Sequence, residues 1–261
     1  MKRFVMKCGG STLAALPDAF FQDIRELQES GVDTVIVHGG GPAINETLGK
    51  LNIESKFLNG LRVTDEATLE VVEMVLAGRI NKEIVRKLQQ NGAKALGLSG
   101  TDGRLIEAQP VENAGELGFV GDTVGVNSEL IEGILKLGYL PVIAPIGIDK
   151  QGQRYNINAD TAAGAVASGL GVERMIVVTD VPGIMRTVDG EKKVLPQVTF
   201  ADIEEMIASG EIYGGMIPKV RAAMSCLHGD VKEVLIVDGA TPKVLSRAVR
   251  EGGIGTRILR G

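Results

Sequence analysis

Six short runs of β-branched and aliphatic residues, separated by stretches of helical period, constrain this sequence more than any other feature. The runs cover residues 4–7, 34–38, 95–99, 142–144, 175–179 and 234–237. They are apolar almost throughout rather than alternating, which is the pattern of strands buried on both faces. Between them, Phe20, Ile24 and Leu27 fall at i, i+4, i+7, with Gly31 as a stop. Ile44, Leu48 and Leu51 repeat that spacing behind Pro42, a residue suited to a first helical turn. Thr64 or Asp65 is placed to cap a helix reaching Leu76, and a further helix with Ile80, Ile84 and Leu88 would end at Asn91-Gly92. Residues 159–169 are rich in Ala and Gly, so their helix can approach its neighbours closely. This alternation predicts an α/β fold, a three-layer αβα sandwich around a central, mainly parallel sheet. Residues 104–126 are the exception, with glycine-punctuated extended runs that read as antiparallel hairpins laid on the sheet. A soft boundary near Gly171 divides the chain into a lobe of residues 1–172 and a lobe of residues 173–261 on one continuous sheet.

Aromatic residues make up 3% of the 261 and Trp is absent, so the core has to be aliphatic. The formal charge of −5 argues against a nucleic-acid partner or an anionic membrane surface. An acidic chain binds anions only at a locally arranged site. Cys8 and Cys226 lie far apart without metal-like spacing, and read as reduced thiols. With two histidines in the chain and no cysteine cluster, no zinc site is expected. No signal peptide is visible, and the most apolar internal stretch, residues 137–148, is broken by Pro141 and Pro145. The expectation is a cytoplasmic protein.

Ligands of open α/β sheets bind at the carboxyl ends of the strands. Three strands here end unusually: in Lys7-Cys8-Gly9-Gly10-Ser11, in His38-Gly39-Gly40-Gly41-Pro42 and in Thr179-Asp180-Val181-Pro182-Gly183. Each is expected to lead towards a helix. Glycines at such turns let backbone N–H groups converge on an anion, although a single pair need mean no more than a tight turn. Two clusters on consecutive strands, one carrying a lysine, favour anion binding. No G-x-x-x-x-G-K-[ST] occurs and no G-x-G-x-x-G follows the first strand, which disfavours a P-loop NTPase and an NAD-dependent oxidoreductase. Arg62, in Asn59-Gly60-Leu61-Arg62-Val63-Thr64, offers a planar fork for a carboxylate. Asn156 and Asp160 sit at the mouth of the small-residue helix, and Lys219 follows Gly214-Gly215 near another helix start. Taken singly, each also suits a cap or a solvated surface. His38 reads as a strand-end residue supporting its glycine turn, and His228 as lying near a helix end.

Read together, these blocks resemble the amino-acid kinase family, and within it the branch that phosphorylates N-acetyl-L-glutamate. The likeness runs end to end through Lys7-x-Gly9-Gly10, His38-Gly39-Gly40-Gly41, residues 59–64, Asn156-x-Asn158-Ala159-Asp160, Asp180-Val181-x-Gly183-Ile184, Gly215-Met216-x-x-Lys219 and Gly255-Thr256-Arg257-Ile258. The resemblance implies ATP- and Mg²⁺-dependent transfer to a side-chain carboxylate, with the metal held mainly by the nucleotide phosphates. It implies that Lys7 and Lys219 stabilise the migrating phosphoryl group and that Asp160 orients them. Gly9 and Gly10 would serve the ATP phosphates, while Gly40, Gly41, Arg62 and Asn156 would hold the acidic substrate. Asp180, Val181, Pro182, Gly183, Ile184 and Met185, with Glu211, Ile212 and Tyr213, would line the nucleotide pocket. A carboxylate acceptor is already ionised at neutral pH and needs no general base, so positive charge and positioning suffice.

The resemblance leaves as rivals a sibling kinase for another acid, such as a carrier-bound aminoadipate, and a non-catalytic amino-acid sensor. The compact 59–62 block disfavours the first, and retention of Lys7, Lys219 and Asp160 the second. Thr101 stands where many relatives carry lysine. Arginine-inhibited relatives carry an extra N-terminal helix that joins dimers into hexamers. Here the first strand begins almost at Met1, which implies an arginine-insensitive homodimer.

Overall fold

Eight strands pair into the central sheet: Arg3–Cys8 (β1), Asp33–His38 (β2), Ala95–Ser99 (β3), Leu140–Ala144 (β4), Arg174–Thr179 (β5), Gln197–Thr199 (β6), Glu233–Asp238 (β7) and Thr256–Leu259 (β8). Their order is β6-β8-β7-β5-β1-β2-β4-β3. Every neighbouring pair is parallel except β7 with β8. The computed structural model describes residues 3–188, 191–227, 229–250 and 253–261. All six runs expected from sequence lie in this sheet. The chain builds outward from β1 to one side and then returns to lay β5 and β7 on the other. β1 therefore sits beside the reversal point of the topology, where the crevice of an open sheet forms.

Side chains alternate between the two faces of the sheet. Phe4, Met6 and Cys8 join Ile36, Val142, Ile176 and Leu235 in one core. Val5 joins Val35, Val37, Ile143, Met175, Val177 and Ile236 in the other. The first core is roofed by the helices Asp18–Glu29, Asn81–Gln90 and Val244–Arg250, the second by Ala159–Gly169, Phe200–Ala208 and Met216–Ser225. These are the three expected layers. By the same period Lys7 belongs to the second face, level with Val37 and Val177.

Three local expectations are corrected. The extended runs after residue 104 do pair as an antiparallel hairpin, Ile106–Pro110 with Val120–Val126. Ile146–Ile148 and Arg154–Ile157 then close this hairpin into a four-stranded barrel, so its edges are covered rather than laid on the sheet. The turn at residues 179–183 leads to a hairpin, Met185–Val188 with Glu191–Val194, and not to a helix. Gly183 has a φ of +145° there, and the following Ile184 N–H donates to Thr256 Oγ1 at 2.8 Å, a geometry that starts no helical ladder. Asp65 caps the next helix as expected, accepting from Thr68 N at 2.8 Å. That helix does not stop near Leu76: Glu66–Glu73 runs through a π-helical segment, Met74–Ile80, directly into Asn81–Gln90.

One buried carboxylate ties the chain's last helix to its first layer. Asp23 is fully buried, and Oδ2 accepts from Leu245 N at 2.9 Å and Ser246 N at 3.2 Å while Oδ1 accepts from Ser246 Oγ at 2.5 Å. It thereby caps Val244–Arg250 from across the structure. Asp23→Ala is expected to destabilise the fold by about 2–3 kcal/mol, since it removes a cap and strands buried donors. Thermal unfolding followed by circular dichroism should show a midpoint lowered by roughly 4–10 °C.

Candidate active site

At the carboxyl end of β1, Lys7 Nζ lies 2.6 Å from Asp160 Oδ1, each side chain 14% exposed. Asp160 arrives there because Asn158 caps the small-residue helix, accepting from Asp160 N at 2.8 Å and Thr161 N at 3.3 Å. Burial disfavours the Lys7 ammonium, but the Asp160 carboxylate outweighs it and raises the lysine pKa above its ordinary value. Cys8, one residue on, faces the opposite core, where burial pushes its thiol up to about 12. It stays a protonated packing group.

Lys7 and Asp160 open into a cavity of about 270 Å³ that also takes in Gly9, Gly40, Gly41, Arg62 and Asn156. Gly9 caps the short helix Gly10–Ala15, so Gly10 contributes backbone only at its start. A Cβ on Gly40 would lie 2.3 Å from Ile80 Cδ1 and 2.6 Å from Leu76 Cδ2, both buried, so a side chain there would displace these two residues of the π segment. Arg62 reaches the cavity through a feature the sequence reading missed. Asn59 and Gly60 have φ of +51° and +82°, the two left-handed residues of a tight hairpin turn between Phe57–Leu58 and Leu61–Arg62. The Asn-Gly pair was the available signal. The hairpin sets Arg62 opposite Phe57, with the guanidinium carbon 4.7 Å from the ring centroid. Arg62 also donates to Ser55 Oγ at 2.5 Å and to Asn45 Oδ1 at 2.7 Å. Asn45, Ser55 and Phe57 were not singled out by sequence, since none belongs to a glycine turn. Asn156, on Arg154–Ile157, donates to Thr64 Oγ1 at 3.1 Å, and Thr64 Oγ1 donates to Arg62 O at 2.7 Å.

His38 turns away from this cavity into the first core. Burial holds its pKa down at about 4, so the ring is neutral at physiological pH. Thr101 lines neither this cavity nor the groove described next, and its hydroxyl meets Ser99 Oγ at 2.5 Å. His228 lies outside the described residues.

A second, larger groove of about 520 Å³ is lined by Val181, Gly183, Ile184, Met185, Glu211, Ile212, Tyr213 and Lys219. Thr256, fully buried, holds its wall: it accepts from Ile184 N and donates to Leu195 O at 2.6 Å. Of the residues expected here, Pro182 and Asp180 are not in the lining. Asp180 instead pairs with Lys219, Oδ1 to Nζ at 2.5 Å, and that hydrogen bond lowers its pKa. Lys219 is thus partnered by Asp180, and Asp160 by Lys7. Glu211 pairs with Arg186, 2.6 Å from Nε, on the same groove. The helix carrying Lys219 packs on the helix carrying Asp160.

A cavity larger than either, about 700 Å³, lies at the amino ends of the strands among Arg3, Asp33, Glu173, Arg174 and Lys232. Those charges pair with one another or with neighbours, and the strand polarity puts it at the wrong end for catalysis. No helix among the described residues is long and apolar enough to cross a membrane.

Residues 2–238 match the model of the amino acid kinase family. The chain is 52% identical over 240 residues to an acetylglutamate kinase of Geobacillus kaustophilus (strain HTA426), covering 92% of this chain and 91% of that protein. It is 45% identical over 260 residues to an acetylglutamate kinase of Clostridioides difficile (strain 630), covering 98% and 91%. A crystal structure of a Streptococcus mutans UA159 protein superposes with a TM-score of 0.83 at 32% identity, covering all of both chains.

The electrostatics of the Lys7–Asp160 pair have a direct test. With Asp160→Ala, Lys7 loses the main group that opposes burial, so its pKa should fall below the ordinary lysine value of about 10.4. NMR titration of ¹³C-labelled lysine side chains should show that drop in one resonance. An unchanged Lys7 pKa would contradict the pairing.

Proposed function

The chain belongs to the amino acid kinase family, and we propose that it phosphorylates the side-chain carboxylate of N-acetyl-L-glutamate with ATP, yielding the acyl phosphate and ADP. The observation that carries the reading is the chemistry of the smaller cavity. Its lining offers glycine amides, the Arg62 fork and the Lys7 ammonium, while the titratable groups there are Lys7, Arg62 and Asp160. Asp160 is already committed to Lys7, and His38 is turned into the core. Such a site suits an acceptor that is ionised before it arrives and asks for charge and alignment rather than a base.

In this reading Arg62, Gly40, Gly41 and Asn156 grip the acidic substrate. Lys7 neutralises charge on the transferring group from the β1 side, with Asp160 fixing its position. Lys219 does so from the nucleotide side, and Gly9 and Gly10 present amides to the phosphates. The groove of residues 181–185 and 211–213 takes the nucleotide. Its apolar lining at Ile184, Ile212 and Met216 suits a base, and Lys219 in the same lining suits phosphates. Mg²⁺ would arrive on those phosphates, where it neutralises their charge. Residues 1–172 then form the acid-binding and dimerisation lobe and residues 173–261 the nucleotide lobe of a cytoplasmic homodimer in arginine biosynthesis.

An ADP-coupled assay across N-acetyl-L-glutamate, glutamate, aspartate and aminoadipate, with hydroxylamine trapping of the acyl phosphate, tests the assignment. Turnover should be confined to N-acetyl-L-glutamate, and its absence there would sink the reading. Lys7→Ala and Lys219→Ala should each lower kcat about 100-fold or more, as for loss of a charge stabiliser. Arg62→Lys should act mainly on the KM of the acid, about tenfold, because the planar fork is lost.

A further inference from the structure

The geometry points to His38 as a positioning residue that aims the Gly40 N–H into the acid-binding cavity by holding the Gly39 carbonyl. The ring sits on the side of β2 that faces the first core, fully buried, with Nε2 3.2 Å from Asn81 Nδ2 and Nδ1 3.0 Å from Gly39 O. Asn81 decides which nitrogen carries the proton. Its Nδ2 also faces the carbonyls of Val142 at 2.9 Å and Leu98 at 3.2 Å, and its Oδ1 accepts from Lys82 Nζ at 3.0 Å. The amide is therefore oriented NH₂ towards the ring, Nε2 is the acceptor, and Nδ1–H donates to Gly39 O.

Both polar groups of Gly39 are then fixed, since its N–H donates to Cys8 O at 3.0 Å. The peptide that follows is planar and trans, so the Gly40 N–H points opposite to the Gly39 carbonyl. With the carbonyl drawn to the core-side ring, that N–H faces the cavity that Gly39, Gly40 and Gly41 line. It has no acceptor among the described residues, and neither has the Gly41 N–H beside it at the start of Gly41–Lys50. The rest of the support is built for this purpose. Strand β3 omits a side chain at Gly97, where a Cβ would lie 2.1 Å from Asn81 Oδ1, and so admits the asparagine beneath the ring. The neutral ring keeps one tautomer across the physiological range, because burial disfavours its charged form.

This inference rests on the acid-binding reading of the cavity, and its test separates the two. His38→Gln moves the donor away from the Nδ1 position, whereas His38→Asn keeps an amide near it. Titration calorimetry should show N-acetyl-L-glutamate affinity lowered about tenfold or more in His38→Gln and within threefold of wild type in His38→Asn, with ATP affinity unchanged in both. Crystal structures of the two unliganded variants supply a readout independent of any ligand. The Gly39–Gly40 peptide should rotate in His38→Gln and keep its orientation in His38→Asn. An unrotated peptide in His38→Gln, or equal affinities in both variants, overturns the positioning role. A rotated peptide in a protein whose wild type binds no N-acetyl-L-glutamate leaves that role standing and removes the substrate assignment instead.

Discussion

A lysine on the inner face of a buried strand cannot be left alone. The two-residue period of β1 gives Lys7 no choice of side, and an unpaired ammonium there would cost several kcal/mol or lose its proton. Asp160 meets that demand at 2.6 Å, and much of the surrounding architecture follows from bringing it so near. The helix that carries it is built of Ala and Gly, whose small side chains let it settle on β1 and β2. Gly39 faces Ala159, where a Cβ would meet Ala159 Cβ at 3.5 Å, an ordinary packing distance. The helix with Lys219 in turn leans on this helix.

The cations differ in how they are held. Lys7 and Lys219 each have a carboxylate partner, so neither presents a bare charge. Arg62 is surrounded by neutral groups, the hydroxyl of Ser55, the amide of Asn45 and the ring of Phe57, and burial pulls its pKa down without coming near neutralising it. Its charge is therefore the uncompensated one in the smaller cavity. A chain with a net charge of −5 attracts an acid through that local imbalance and not through its overall field.

The layered fold was legible because continuous apolar runs and helical spacing report burial directly, and the runs at 4–7 and 34–38 correspond to β1 and β2. The glycine turns after them were legible for a similar reason, since backbone packed as closely as Gly40 on Leu76 and Ile80 disfavours a Cβ. What stayed hidden depends on distant partners. Nothing near Asp180 in sequence indicates that Lys219 will reach it, or that Thr256 will hold the backbone of Ile184. The four-stranded barrel was missed because its closing strands come some twenty residues after the hairpin they complete. The hairpin under Arg62 could have been read from Asn59-Gly60, but strands of two residues carry no period.

The long helical stretch from Glu66 to Gln90 carries Val72, Leu76, Ile80, Ile84 and Leu88 at strict intervals of four, and all five are buried. An α-helix turns once in 3.6 residues, so such a comb would creep round the axis by about 40° per tooth and about 160° over its length. Leu88 would then look nearly opposite to Val72. The wide π turns between Met74 and Ile80 unwind that creep, acting as a phase corrector in mid-shaft. They keep the side chains of both halves of the rod in one core, and they deliver Asn81, the first residue beyond them, to the histidine beneath the glycine turn.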